Sequence, residues 1–240
     1  YMLRRGDTVS DIALEYDIRL DTIISYNDII DVRRIYAGEE ILVPAVEGEA
    51  VNGVKYVVKR GDSLQGIALR FGVPLEPILD LNEIETTVIQ PGLELFIPDA
   101  TMDDFSKRRA LGTLFLRPFS ARLIRTSGFG MRLDPFTNTN RFHYGVDWAG
   151  PVGTPVLASN HGVVVYRNQN STLGKYVLLK HDRGYQTLYA HLDSWSVRAG
   201  QYVQQGQKIG TIGNTGRSTG PHLHFVIYIN GKPVDPERIL

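Results

Sequence analysis

Laid over itself with a shift of fifty-five residues, the chain matches YMLRRGDTVSDIALEYDI from Tyr1 against YVVKRGDSLQGIALRFGV from Tyr56. Gly6/Gly61, Asp7/Asp62, Ile12/Ile67, Ala13/Ala68 and Asn27/Asn82 coincide. A repeat of that length means one small unit built twice, each with its own core. Both copies read as a short strand, then a Gly-Asp turn in which Thr8 or Ser63 is placed to cap a helix. Apolar residues follow at helical spacing, at Val9, Ile12, Ala13 and Tyr16 or at Leu64, Ile67, Ala68 and Phe71. A second short helix runs to Asn27 or Asn82, and a closing strand ends in EEILVP or LELFIP. The expected order is strand, helix, helix, strand.

The shared opening Y-x-V-x-x-GD-T/S-L-x-x-IA resembles that of LysM modules over residues 1–44 and 56–98, and the second copy is the cleaner match. The resemblance implies binding to glycans that contain N-acetylglucosamine, typically peptidoglycan, through backbone at the turn after Gly-Asp and the loop before the last strand. Asp17 stands where the second copy has Gly72. The expected organisation is a first module at 1–45, a small and acidic linker at 46–55 and a second module at 56–98. A further linker at 99–118 follows, whose middle can form a helix, and then a third domain at 119–240.

From Ser127 onward the texture changes. Short β-rich runs such as GVVVYRN, KYVLLKH and YQTLYAHL alternate with glycine-containing turns every eight to twelve residues, which predicts an antiparallel β domain with few helices. The two halves also differ in charge: residues 1–118 hold 13 Lys and Arg against 20 Asp and Glu, and residues 119–240 hold 13 against 6. The basic residues are scattered singly, so nucleic acid is not an expected partner. No run of 18 apolar residues exists to cross a bilayer.

The chain has no cysteine, which removes disulfides, thiol nucleophiles and Cys-type zinc sites and leaves His, Asp and Glu as metal ligands. All six histidines, at 143, 161, 181, 191, 222 and 224, lie in the last hundred residues. In PHLHF, His222 and His224 share one face of a strand, about 6.5–7 Å apart. Two imidazoles and one carboxylate can hold a catalytic zinc and leave a coordination position open. His143, Asp147 and one member of the His222/His224 pair supply that set. A flat strand would spread the four residues from His143 to Asp147 over about 13 Å, so the chain must bend near Gly145. No HExxH is present, and Glu237 is the one glutamate after residue 118. Proton transfer therefore falls to histidine, with His191 and the remaining member of the pair as candidates.

TSGFGMRLDP, FHYGVDWAGPVGTPVLA, YAHL and STGPHLHF resemble the lysostaphin-type (LytM-type) zinc endopeptidases of cell walls, over about residues 119–238. Carried onto these positions, the resemblance implies that His143, Asp147 and His224 bind zinc and that His191 and His222 form the catalytic pair. It implies hydrolysis of a peptide bond in a peptidoglycan stem or cross-bridge, in a bacterial envelope, periplasmic or extracellular. Val226 stands where the family usually has Glu after HxH-Phe, and Arg117-Pro118 stands where it usually has WP. His161 and His181 read as surface or supporting residues. Gly210, Gly213, Gly216 and Gly220 would let the walls of a groove approach an extended peptide.

The fold class expected is multidomain: two small α+β (βααβ) modules followed by a mainly antiparallel β metallopeptidase domain. The rival function is a non-catalytic peptidoglycan-binding regulator of another wall hydrolase, but such a protein should have lost ligands, and all five key positions are retained. A biotinyl or lipoyl carrier would need a lysine at a hairpin tip and would leave HxH and HxxxD unexplained.

Overall fold

In the computed structural model, which describes residues 1–240, both repeat copies start their first helix directly after the Gly-Asp turn. In the first copy, α1 (Val9–Glu15) begins at Thr8, whose hydroxyl accepts from Asp11 N while the Asp11 carboxylate accepts from Thr8 N. This reciprocal cap satisfies two backbone donors that a helix start leaves unpaired. Helix α2 (Leu20–Tyr26) ends at Asn27. The stretch expected as a linker at 46–55 takes up regular structure: a hairpin of β1 (Ala45–Val46) and β2 (Glu49–Ala50), then β3 from Gly53 to Val57. The second copy continues with α3 (Leu64–Phe71), capped by Ser63, then α4 (Leu75–Leu81) and β4 (Glu94–Pro98), which pairs antiparallel with β3. Helix α5 (Asp104–Ala110) lies inside the stretch expected as the second linker.

The second copy thus has the full strand, helix, helix, strand order. In the first copy the strand pair shrinks to a bridge between Met2 and Glu40, with Tyr1 and Leu3 bonded to Ile41 and Glu39.

Tyr1–Thr113 form one compact unit and Leu114–Leu240 another. Within the first unit the copies are joined by side chains of α2 that satisfy the edge of β3. Thr22 Oγ1 accepts from Gly53 N, Ser25 Oγ from Lys55 N, and Asn52 Oδ1 from Arg19 N. Each copy keeps its own apolar core, around Ile12, Ile23 and Ile24 in one and Ile67, Ile78 and Ile97 in the other, and Ala110 of α5 packs into the first.

The second unit is built of strands: β5 (Ile124–Ser127), β6 (Gly130–Leu133), β7 (Asn140–His143), β8 (Val146–Ala149), β9 (Pro155–Leu157), β10 (Gly162–Asn170), β11 (Gly174–Lys180), β12 (Tyr185–Trp195), β13 (Tyr202–Val203), β14 (Lys208–Ile212), β15 (His222–Ile229) and β16 (Lys232–Val234). Ten of them form one antiparallel sheet with the path β13-β10-β11-β12-β15-β8-β5, and β6 and β7 form a separate hairpin. Period-two alternation sends Leu223 and Phe225 of β15 into the core, where Phe225 packs on Trp148 and Tyr189, and leaves His222 and His224 on the opposite face. That face carries the site.

Candidate metal centre and catalytic cleft

β15 and β8 set the first two donors. His224 lies directly opposite Asp147 in the antiparallel register, so both side chains stand on the same face, and His224 Nδ1 reaches Asp147 Oδ1 at 2.7 Å. The third donor comes from the other hairpin. β7 ends at His143 and β8 begins at Val146, so the chain turns through Tyr144-Gly145, where the spacing of His143 and Asp147 requires a bend. A Cβ at Gly145 would run into the Phe225 carbonyl and come within 2.9 Å of His224 Cε1, so only glycine lets the turn approach β15 this closely. His143 Nε2 then lies 3.0 Å from His224 Nδ1 and 3.3 Å from Asp147 Oδ1.

These separations fit a metal. A tetrahedral zinc with bonds of about 2.0–2.1 Å has donor–donor edges near 3.3 Å, and the three atoms already form a triangle of about that size. Two imidazoles and one carboxylate also suit zinc rather than the all-oxygen preference of magnesium or calcium. His143 Nδ1 lies 2.7 Å from the Gly128 carbonyl, which can only accept, so the proton sits on Nδ1 and the Nε2 lone pair faces the cluster. All three residues are largely buried. Burial by itself would raise the Asp147 pKa, but the neighbouring His143 and His224 imidazoles outweigh it and hold the carboxyl well below the usual range. Burial also depresses His224, opposed by Asp147. A cluster whose carboxyl stays ionised, beside an imidazole disfavoured as a cation, is ready to bind a metal ion.

His191 and His222 stand beside the cluster with ring centroids 4.6 Å apart. His222 Nδ1 lies 2.8 Å from the Gly220 carbonyl and His191 Nδ1 2.8 Å from the Thr215 carbonyl, so each Nδ1 carries a proton and Nε2 is the nitrogen left without a carbonyl partner. His191 sits where β12 exchanges β15 for β14 as its partner, with a register shift toward β11, and its backbone is left-handed at φ 60°. The bulge turns the imidazole out of the strand's alternation and toward His222. Burial pushes its pKa down to about 4. An open cleft of ≈ 250 Å³ joins all five residues. Sequence spacing left His222 and His224 equivalent; register separates them, because His222 Nε2 is 3.9 Å from Asp147 Oδ1.

His161 and His181 lie outside the cleft. His181 is buried beside Thr187 and the His161 carbonyl. Gly210, Gly213, Gly216 and Gly220 do not line it either, which corrects the expected groove role. Gly210 and Gly213 pack against the backbone of Ser194 and Asp193, and Gly216 against Gly174. Val226 is buried opposite Leu188 and beneath Gly145, where a glutamate would be desolvated. Sequence reasoning missed the rest of the cleft wall, which includes Arg132, Asp134, Phe136, Arg141 and Arg217. Arg132 and Asp134 lie inside TSGFGMRLDP, but nothing local points to the pairing of Asp134 with Arg217.

Comparison with known proteins finds two kinds of domain in the chain. The profile of peptidase family M23 matches residues 141–236 and that of the LysM domain residues 1–44 and 56–98. The DD-carboxypeptidase/endopeptidase Mpg of Neisseria meningitidis serogroup B is 48% identical over 114 residues, 48% of this chain and 26% of that protein. The peptidoglycan DD-endopeptidase ShyC of Vibrio cholerae serotype O1 is 38% identical over 162 residues, 66% of this chain and 37% of that protein. The chain therefore spans about a quarter to two fifths of the length of these relatives. A zinc-containing peptidase from Vibrio cholerae shares the fold, with a TM-score of 0.50 at 24% identity over 98% of this chain and 97% of that one. The second unit carries a peptidase family M23 domain at residues 141–236, and the first unit carries two LysM domains.

Proposed function

We propose that the chain is a zinc-dependent endopeptidase that hydrolyses peptide bonds in peptidoglycan stems or cross-bridges, held at the wall glycan by its LysM domains. The observation that carries this reading is the convergence of His143, Asp147 and His224 within bonding distance of one point, beside two imidazoles whose Nε2 atoms face the same cleft. His143 Nε2, His224 Nδ1 and an Asp147 oxygen would hold the zinc, which when bound supplies Lewis-acid polarisation of the scissile carbonyl. His191 and His222 do the proton work. With Nδ1–H fixed on a main-chain carbonyl, each ring can take a proton from the attacking water at Nε2, hold the developing oxyanion as a donor, and return the proton to the leaving amine. Burial keeps His191 neutral at the start of the cycle.

The turns at Gly6-Asp7 and Gly61-Asp62 would present backbone to wall glycan. Each aspartate there is clamped by a tyrosine hydroxyl, Tyr1 or Tyr56, at 2.6 Å, and by the backbone N–H of Arg4 or Lys59 at 2.8 Å. The place of action is the bacterial envelope, periplasmic or extracellular. No helix is long and apolar enough to cross a membrane. The D,D cross-link named for the relatives is the first bond to test. Mass spectrometry of muropeptides released by the purified chain, with zinc and with chelator, should show zinc-dependent loss of cross-linked species. Wall binding without release of any peptide would sink the enzyme reading and favour the regulator.

A further inference from the structure

The cleft wall is unbalanced in charge. Arg132, Arg141 and Arg217 line it against Asp134 and Asp147, with no lysine or glutamate. Asp134 is committed to structure: its Oδ1 accepts from Phe136 N at 2.9 Å and Thr137 N at 3.0 Å, and it receives Arg217 Nη2 at 2.9 Å. Arg141 Nη1 is 3.7 Å from its other oxygen. One carboxylate therefore serves two guanidinium groups. Asp147, the aspartate nearest Arg132 at 3.6 Å, belongs to the metal cluster, so its charge is spent there once a cation is held. The excess of positive charge then grows by the charge of the ion.

Arg217 is also fixed in place. Its guanidinium lies over the Phe136 ring at 4.5 Å, and its backbone N donates to the Thr172 carbonyl at 3.0 Å. Asp134 takes one of its five N–H groups and holds the planar guanidinium in the cleft wall. It stands two residues after Thr215, whose carbonyl orients His191. A forked, always-charged donor set of this kind matches a carboxylate.

We propose that Arg217, with Arg132 and Arg141, forms a carboxylate-binding subsite next to the reacting bond. The preferred substrate is then a stem peptide bearing a free carboxylate close to the cleaved bond, and not an uncharged glycine bridge. This rests on the peptidase reading for its substrate but not for the binding it predicts.

The test uses the full chain, first as purified and then freed of metal by chelator, titrated by NMR with N-acetyl-D-alanyl-D-alanine and with its C-terminal amide. The acid should bind at least ten-fold tighter than the amide in both forms, and inorganic phosphate should compete poorly. Arg217→Gln should bring the ratio toward one, and Arg132→Gln should lower it, with circular dichroism unchanged. Equal binding of acid and amide to the unaltered chain overturns the subsite whatever the variants do, as does phosphate competing as well as the acid. A second arm measures release from a cross-linked muropeptide dimer and from its carboxyl-amidated form by the zinc-loaded chain, with kcat/KM expected to fall at least ten-fold on amidation. Cleavage that ignores amidation removes the subsite and leaves the peptidase; an acid preference in binding with no cleavage of either dimer does the reverse.

Discussion

His191 holds a left-handed backbone conformation at φ 60° that a non-glycine residue adopts at a cost, of order 1–3 kcal/mol where the surroundings enforce it. The bulge is what aims its ring at His222, so strain and the ring's place in the cleft come from the same distortion. Replacing His191 by glycine should cut turnover at least a hundred-fold and change folding stability by no more than about 1 kcal/mol, since relief of strain offsets lost packing. Denaturant melts beside a turnover assay check this; a loss of several kcal/mol would show that the imidazole is a packing residue. His181 gives a contrasting case, buried and outside the cleft. Burial pushes its pKa down to about 4, so between pH 4 and the unfolded value near 6.5 the unfolded chain binds more protons than the folded one. Stability of the second unit should therefore fall as pH drops through that window, by up to about 3 kcal/mol from this residue. In metal-free protein the fall between pH 7 and pH 4 should be smaller for His181→Gln than for the parent, and an equal fall would assign the effect elsewhere.

Pairs of elements make the site, and single residues only decorate them. The antiparallel register of β8 and β15 puts Asp147 opposite His224, and the turn at Gly145 brings in His143. Gly145→Ala should push the turn off β15, weaken zinc binding at least ten-fold in competition with a chromophoric chelator, and cost about 1–3 kcal/mol of stability. Zinc affinity within two-fold of the parent would mean that the approach is not needed. A similar brace explains why Asn27 and Asn82 coincide in the repeat. Asn82 Nδ2 donates to the Ile78 and Phe96 carbonyls and its Oδ1 accepts from Phe96 N, each at 2.7 Å, tying the end of α4 to β4. Asn82→Ala should destabilise the first unit by about 2–3 kcal/mol, read from its melting transition. What was legible in the sequence follows the same division. The repeat and the caps at Thr8 and Ser63 are local, and so were read directly. The placing of His224, and not His222, opposite Asp147 is a matter of register with β8, and the Arg217–Asp134 pair joins residues 83 apart in sequence, so neither has a local signature. The stretch at 46–55 looked like a tether because its partners, the hydroxyls of Thr22 and Ser25, lie thirty residues earlier.

At the scale of the whole chain, two units with separate cores should respond separately to the metal. The donor triangle exists only in folded Leu114–Leu240, so zinc binds that native unit and contributes RT ln(1 + [Zn]/Kd) to its stability, about 4 kcal/mol at a thousand-fold excess over Kd. For a unit of this size that is roughly 10–20 °C in melting temperature. The unit with the LysM domains has no such cluster, because all six histidines lie beyond it. Calorimetry of the full chain should then show two transitions, of which chelator lowers one by that margin and leaves the other within about a degree. Histidine-deficient variants such as His224→Ala should already melt at the chelated temperature and show no further response. If chelator moved both transitions together, or neither, the metal would not be a resident of the second unit alone. Peptide hydrolysis would then have to be rebuilt on His191 and His222 without it.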